Sequence, residues 1–194
     1  MAHIGMKYVV AAPLKNDETY DPGYVVAKAI EFTGTPNTNS AVLYADDGSA
    51  ETDQAVSNMG TSLNVDDVSL EVQGKLLGHT YTASSGETPE GLVINADDVA
   101  PYVGMGFYKR RRKNGVTSFT VIWLNKVQNT AMTENAATKG ETTEFQTDTI
   151  EGTSYPLSNG AIYEKHVLDT EAKAKTWLNT KAGITGNTGN GGNT

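Results

Sequence analysis

The chain reads as an α+β domain, mainly β, with about seven or eight strands, one or two flanking helices and one core. Three observations carry that expectation. Tyr102–Arg112 and Val116–Val127 are strand-like runs around Asn114-Gly115, and Asn-Gly between β-prone runs favours a type I′ hairpin, whose turn needs positive φ at both central residues. Glu51–Val65 alternates between Ala55, Ser57, Met59, Thr61, Leu63 and Val65 on one side and Gln54, Asn58, Ser62 and Asn64 on the other, the period of a half-buried strand. Helical spacing of apolar residues is confined to Asp66–Leu77 and Asp169–Ala182.

Taken in order, Met6–Ala12 is a first strand closed by Pro13, and Asn16–Gly23 is a turn-rich loop. Tyr24–Thr33 favours strand through Val25, Val26, Ile30 and Phe32. Gly34–Ser40 reads as a loop, and Ala41–Tyr44 as a short strand closed by a turn at Ala45–Gly48. The first helix takes Asp66 or Asp67 as cap, buries Val68, Val72, Leu76 and Leu77, and ends at Gly78. His79–Gly91 is a loop and Leu92–Ile94 a short strand.

The hairpin then sets its own register: Lys113 faces Val116, Arg111 faces Ser118, Phe107 faces Ile122, Met105 faces Leu124, Tyr108 faces Val121 and Gly106 faces Trp123. Its base is apolar on both faces, so it belongs at the centre of a sheet, buried on both. Its tip, Lys109, Arg110, Arg111, Arg112 and Lys113, is five cations in a row, which must meet water or an acidic surface. Asn129–Thr138 is a polar connection. Lys139–Thr153 is a Thr-rich, acidic strand with little core contact of its own. Ala161–Leu168 is another strand, and the second helix is capped by Asp169 or Thr170, with Ala174, Trp177 and Leu178 inward. Residues 1–183 form one domain, and 184–194 a Gly/Asn/Thr tail expected to be flexible.

Composition narrows the function. The 194 residues contain no cysteine, which removes disulfides and thiol chemistry. No apolar run approaches the ~20 residues of a membrane helix, and MAHIGMKYVV does not read as a signal peptide. Net charge is −8. With the +5 tip set aside, the remainder is −13, which argues against general nucleic-acid binding. His3, His79 and His166 are scattered. The pairs Asp46-Asp47, Asp66-Asp67 and Asp97-Asp98 lack calcium-loop spacing and suit turns and caps. No phosphate cradle, nucleophile elbow or zinc-protease motif occurs. No cofactor and no catalytic constellation is expected. The basic tip is open to three readings: a solvated end, a phosphate grip, or a contact to an acidic neighbouring copy.

Several stretches in order carry a resemblance: TPNTNSAVLYADD (Thr35–Asp47), LLGHTY (Leu76–Tyr81), NADDVAPYVGMGFY (Asn95–Tyr108), WLNKVQ after the NGV turn, TKGETTEFQTDTIEGT (Thr138–Thr153) and TEAKAKTWLN (Thr170–Asn179). With the MAHIGMK start, they resemble major tail proteins, the tail tube proteins, of phages with long non-contractile tails that infect Gram-positive bacteria. The resemblance implies two packed antiparallel sheets whose strands join across subunits. Six copies would close into a ring lined by a β-barrel, and rings would stack into a tube for DNA ejection. It implies a virion location after assembly in the host cytoplasm. It also implies a tape measure protein inside the tube and terminator and distal tail proteins at its ends, with no specific DNA binding and no catalysis.

On that basis the wet sides of the alternating strands, Gln54, Asn58, Ser62, Glu144, Gln146 and Asp148, are expected to line the lumen. The basic tip, or Pro36 and Asn37 in the Gly34–Ser40 loop, would contact the adjacent ring. The alternative is a monomeric β-sandwich binding module, for example one recognising carbohydrate, which would need Trp123 exposed in a cleft.

Overall fold

The computed structural model describes residues 2–45, 48–133 and 147–184. It is mainly β, with ten strands and two helices among these residues. The strands are β1 (Ala2–Pro13), β2 (Tyr24–Val25), β3 (Ala29–Ala45), β4 (Gly48–Val65), β5 (Thr80–Thr82), β6 (Gly91–Val93), β7 (Tyr102–Lys113), β8 (Val116–Thr133), β9 (Asp148–Ser154) and β10 (Tyr163–Leu168). The helices are α1 (Leu70–Leu77) and α2 (Glu171–Lys181).

A large forked antiparallel sheet of eight strands runs β2-β1-β7-β8-β9-β4-β3, with β10 also on β8, and β5–β6 form a second, small sheet. The fork follows from the length of β8. One edge of β8 pairs with β7, while the other takes β10 along Phe119–Leu124 and then β9 along Val127–Thr133. Between them the ladder breaks, and the freed backbone groups find other partners. The Asn125 N–H donates to the Ile162 carbonyl at 3.0 Å, and the Tyr155 N–H to the Lys126 carbonyl at 2.7 Å.

The sheet then folds over, so that β3 and β4 face β1, β7 and β8 across the main core. Val9, Val103, Phe107 and Leu124 meet Met59, Leu63 and Val65, with Val72 and Leu76 of α1 closing one end. On the back of the same sheet, Val10, Tyr108, Val121 and Trp123 pack under Ala174 and Leu178 of α2. Val9 and Val10 thus serve different cores, as period-two alternation requires. The hairpin is central, as expected. Every side-chain pairing read for it holds in the ladder, and Asn114 and Gly115 have φ of 50° and 80°.

Four local readings are corrected. Gly34–Ser40 is strand, not loop, because β4 offers an uninterrupted ladder opposite it, and Pro36 is tolerated since β3 lies at the sheet edge. Tyr24–Thr33 is not one strand but β2 and the start of β3, with Val26–Lys28 between them. Helix α1 starts later than read: its cap is Ser69, whose hydroxyl accepts from the Val72 N–H, while Asp66 accepts the Lys28 N–H at 3.1 Å. Strand β8 runs on to Thr133, into the stretch read as a connection, because β9 pairs with it there. Thr170 caps α2, and its C-cap Ala182 packs in the second core with Ile184 against it. The tail read as flexible, 184–194, therefore starts one residue too early, since Ile184 packs against the second core, and 185–194 lie outside the described residues.

Candidate assembly surfaces

Directly opposed residues in an antiparallel ladder share a face, so the register decides which side chains form a surface. Ser62 faces Thr33 on β3 and Glu151 on β9, Asn64 faces Glu31 and Thr149, and Gly60 faces Thr35 and Thr153. On β8, Gln128, Ala131 and Thr133 continue the same rows. This four-stranded face is exposed or half-buried. Over the rows from Asn58 to Asn64 it carries small polar groups and two charges, Glu31 and Glu151, both acidic. The cation nearest along β8, Lys126, stands at the fork over the Tyr102 ring, 4.5 Å from its centroid.

Asn58 and Ser62 lie on this polar surface. Asp148 does not. It faces Val65, on the side of Ile150 and Leu63 that supplies the core. The expected lumen set therefore mixed two faces. Alternation within Glu144–Asp148 cannot reveal which parity looks inward; only pairing with β4 does. Glu151, exposed and opposite Ser62, is the acidic residue that sequence reasoning missed. Its alternation with buried Ile150 and Gly152 was the available signal. The Gln54 side chain, Glu144 and Gln146 lie outside the described residues.

The basic tip ends a three-stranded ribbon, since β1 pairs with β7 as far as Ala2 opposite Arg112. Arg110, Arg112 and Lys113 are exposed there, with Val116 beside them. Lys109 is half-buried at the side of an open groove of about 850 Å³, lined also by Phe32, Met59, Phe107, Ile122 and Lys165. Burial pushes the Lys109 ammonium down from its ordinary pKa, and the like charge of Lys165 adds to that. Pro36 and Asn37 are not on a loop end. Pro36 faces Met59 and lines the groove, while Asn37 donates its side-chain N–H to Asn58 Oδ1 at 2.7 Å.

The third surface is backbone. Strand β9 covers β4 from Met59 to Val65. Among the described residues, the outer length of β4, Gly48–Asn58, pairs with β3 alone, and β3 pairs with no second strand. Among the described residues, the two form an arm whose outer edges carry no further strand. An edge of this length invites another strand.

Elsewhere the chemistry is structural. His79 Nδ1 lies 2.8 Å from Asp98 Oδ2, both half-buried. Asp98 also accepts the Asn95 N–H at 2.9 Å. The Asn95 bond first, then His79, hold the Asp98 carboxyl below the usual range. His166 pairs with Glu164 at 3.1 Å. Asp46-Asp47 lie outside the described residues. Among those described, no three His, Asp or Glu side chains gather where they could hold a metal ion. Trp123 is fully buried, its indole N–H donating to the Tyr20 hydroxyl at 3.0 Å, so it offers no stacking platform to a sugar. Among the described residues, no helix is long and apolar enough to cross a membrane. No protein-family model matches the sequence, and no curated protein does.

Proposed function

We propose that this chain is the structural, non-enzymatic subunit of a phage tail tube. The β3–β4 arm is the observation that carries the reading. A two-stranded arm of this length, its edge bare among the described residues, is marginal in water by itself and becomes satisfied when a neighbouring copy continues the ladder. Closing six copies into a ring leaves no edge at all. The ordered resemblance along the sequence supports the same reading, and supplies the number six, the virion location, and the tape measure, terminator and distal tail proteins as partners.

The polar face then supplies the wall of the channel. Asn58, Ser62 and Thr149 with Glu31 and Glu151 give a surface of small hydrogen-bonding groups and negative charge. Phosphates are repelled from such a wall, so DNA slides rather than sticks. Negative-stain microscopy and native mass measurement of the purified protein test the proposal. Rings or hollow tubes with a six-fold end view are expected. Featureless particles of monomer mass at every concentration would overturn it.

A further inference from the structure

The two ends of the β7–β8 ribbon differ in charge and match in character. At one end stand the five consecutive cations Lys109–Lys113. At the other, the segment Glu71–Asp98 carries five Asp and Glu against one lysine, a balance of 1 − 5 = −4. The fold, not chain order, puts that segment there. Gln128, which pairs with Tyr102 at the foot of the hairpin, donates to the Ala100 carbonyl at 3.0 Å. A pocket beside it is lined by Gln73, Leu77, Ile94 and Val99 together with Gln128 and Met132. Strand β7 has 12 residues from Tyr102 to Lys113, which spans about 36 Å.

Both ends also expose apolar side chains. Val116 is 68% exposed among the cations, and Val93, Ile94 and Val99 are 54%, 66% and 75% exposed beside Glu90 and Asp97. Aliphatic groups ringed by charge of one sign, facing aliphatic groups ringed by the opposite sign, make a complementary contact.

We propose that the basic hairpin tip of one copy docks on the acidic end of a second copy, the surface formed by the β5–β6 turn and the 93–99 segment. The contact is head to tail. Repeated, it propagates along an axis rather than closing on a pair. It rests on the tube reading for its setting and names the two surfaces that join one ring to the next. Val116 enters among Val93, Ile94 and Val99, while Arg110 and Arg112 meet Glu87, Glu90 and Asp97. Steering by these charges weakens as salt rises.

Charge exchange tests it. The variant Arg110→Glu with Arg112→Glu, and separately Glu87→Lys with Glu90→Lys and Asp97→Lys, are each expected to give single rings that do not stack. Mixed, the two variants set opposite charges at the exchanged positions of every junction and are expected to restore stacks of alternating composition, seen by sedimentation and negative stain. Circular dichroism and ring formation by each variant show that it has folded. Stacking by either variant alone to wild-type length at low and high salt, or a mixture that stays as single rings, would overturn the end-to-end contact and leave the ring reading standing. A wild-type protein that remains monomeric throughout would overturn both.

Discussion

Gly106 and Trp123 stand opposite one another on β7 and β8, and the indole lies over the space that a side chain at position 106 would fill. A Cβ there would meet the Trp123 ring and come within 2.8 Å of Leu178. Gly104, two residues back, is equally closed: a Cβ there would lie 2.5 Å from both Trp123 and Tyr20. The two glycines make the slot in which the largest buried side chain sits between the sheet and α2. Gly106→Ala is therefore expected to lose about 1–3 kcal/mol by overpacking. Urea unfolding monitored by tryptophan fluorescence reads this directly, and an unchanged midpoint would show that the slot has slack.

The same indole is held by a relay. Trp123 donates to the Tyr20 hydroxyl, which donates to the Asn125 carbonyl at 2.9 Å, at the point where the sheet forks. Tyr20→Phe keeps the ring but leaves a buried indole N–H unpaired, at an expected cost of about 1–3 kcal/mol. If the relay is real, Trp123→Phe in the Tyr20→Phe background costs less than in the wild type. Additive losses would deny the coupling.

The hairpin turn makes a backbone prediction. Gly115 has φ of 80°, which a β-branched residue reaches only with strain. Gly115→Val is expected to destabilise by about 1–2 kcal/mol, whereas Asn114→Gly stays near neutral. Thermal melts of the two variants separate a turn requirement from a general sensitivity of the tip.

The polar face gives a functional prediction. Ser62→Lys with Glu151→Lys adds cations to the wall without touching the core side of either strand. Tubes should still form, but they should retain duplex DNA, and release should become steeply salt-dependent. Tubes of this variant that hold no more DNA than wild type in filter binding or co-sedimentation would place the lumen elsewhere.

The pair His79 and Asp98 gives a pH dependence. A carboxyl whose folded pKa lies below its unfolded value, near ~3.9, adds stability above that value. The contribution is lost as pH falls through the folded pKa. Asp98 is depressed in this sense. Asp98→Asn should thus be most destabilised relative to wild type near neutral pH, and the two melting curves should converge in acid. A gap that widens on acidification would contradict the assignment.

Much of this was legible in local chemistry. The Asn-Gly turn specified the hairpin, and a two-residue loop leaves no freedom of register, so each pairing from Lys113–Val116 to Met105–Leu124 followed. Gly78, with φ of 77°, ended α1 as read, and Ala174 and Leu178 turned inward from α2. Turn-forming composition misled at Gly34–Ser40, where Gly, Pro and Asn argue for a loop. A ladder partner on β4 supplies backbone bonds that composition does not register.

By itself, the amino-acid sequence determined what is local: strand periods, the hairpin and its register, helix ends, the cationic tip and the acidic remainder. Tertiary structure alone decided that the sheet forks at Asn125, that it folds over to make two cores, and that Glu151 rather than Asp148 joins Ser62 on the polar face. The physical reason is that alternation tells a strand it has two sides but not which is inward. That choice belongs to the partner strand, and the partners β4 and β9 are separated by more than eighty residues of chain.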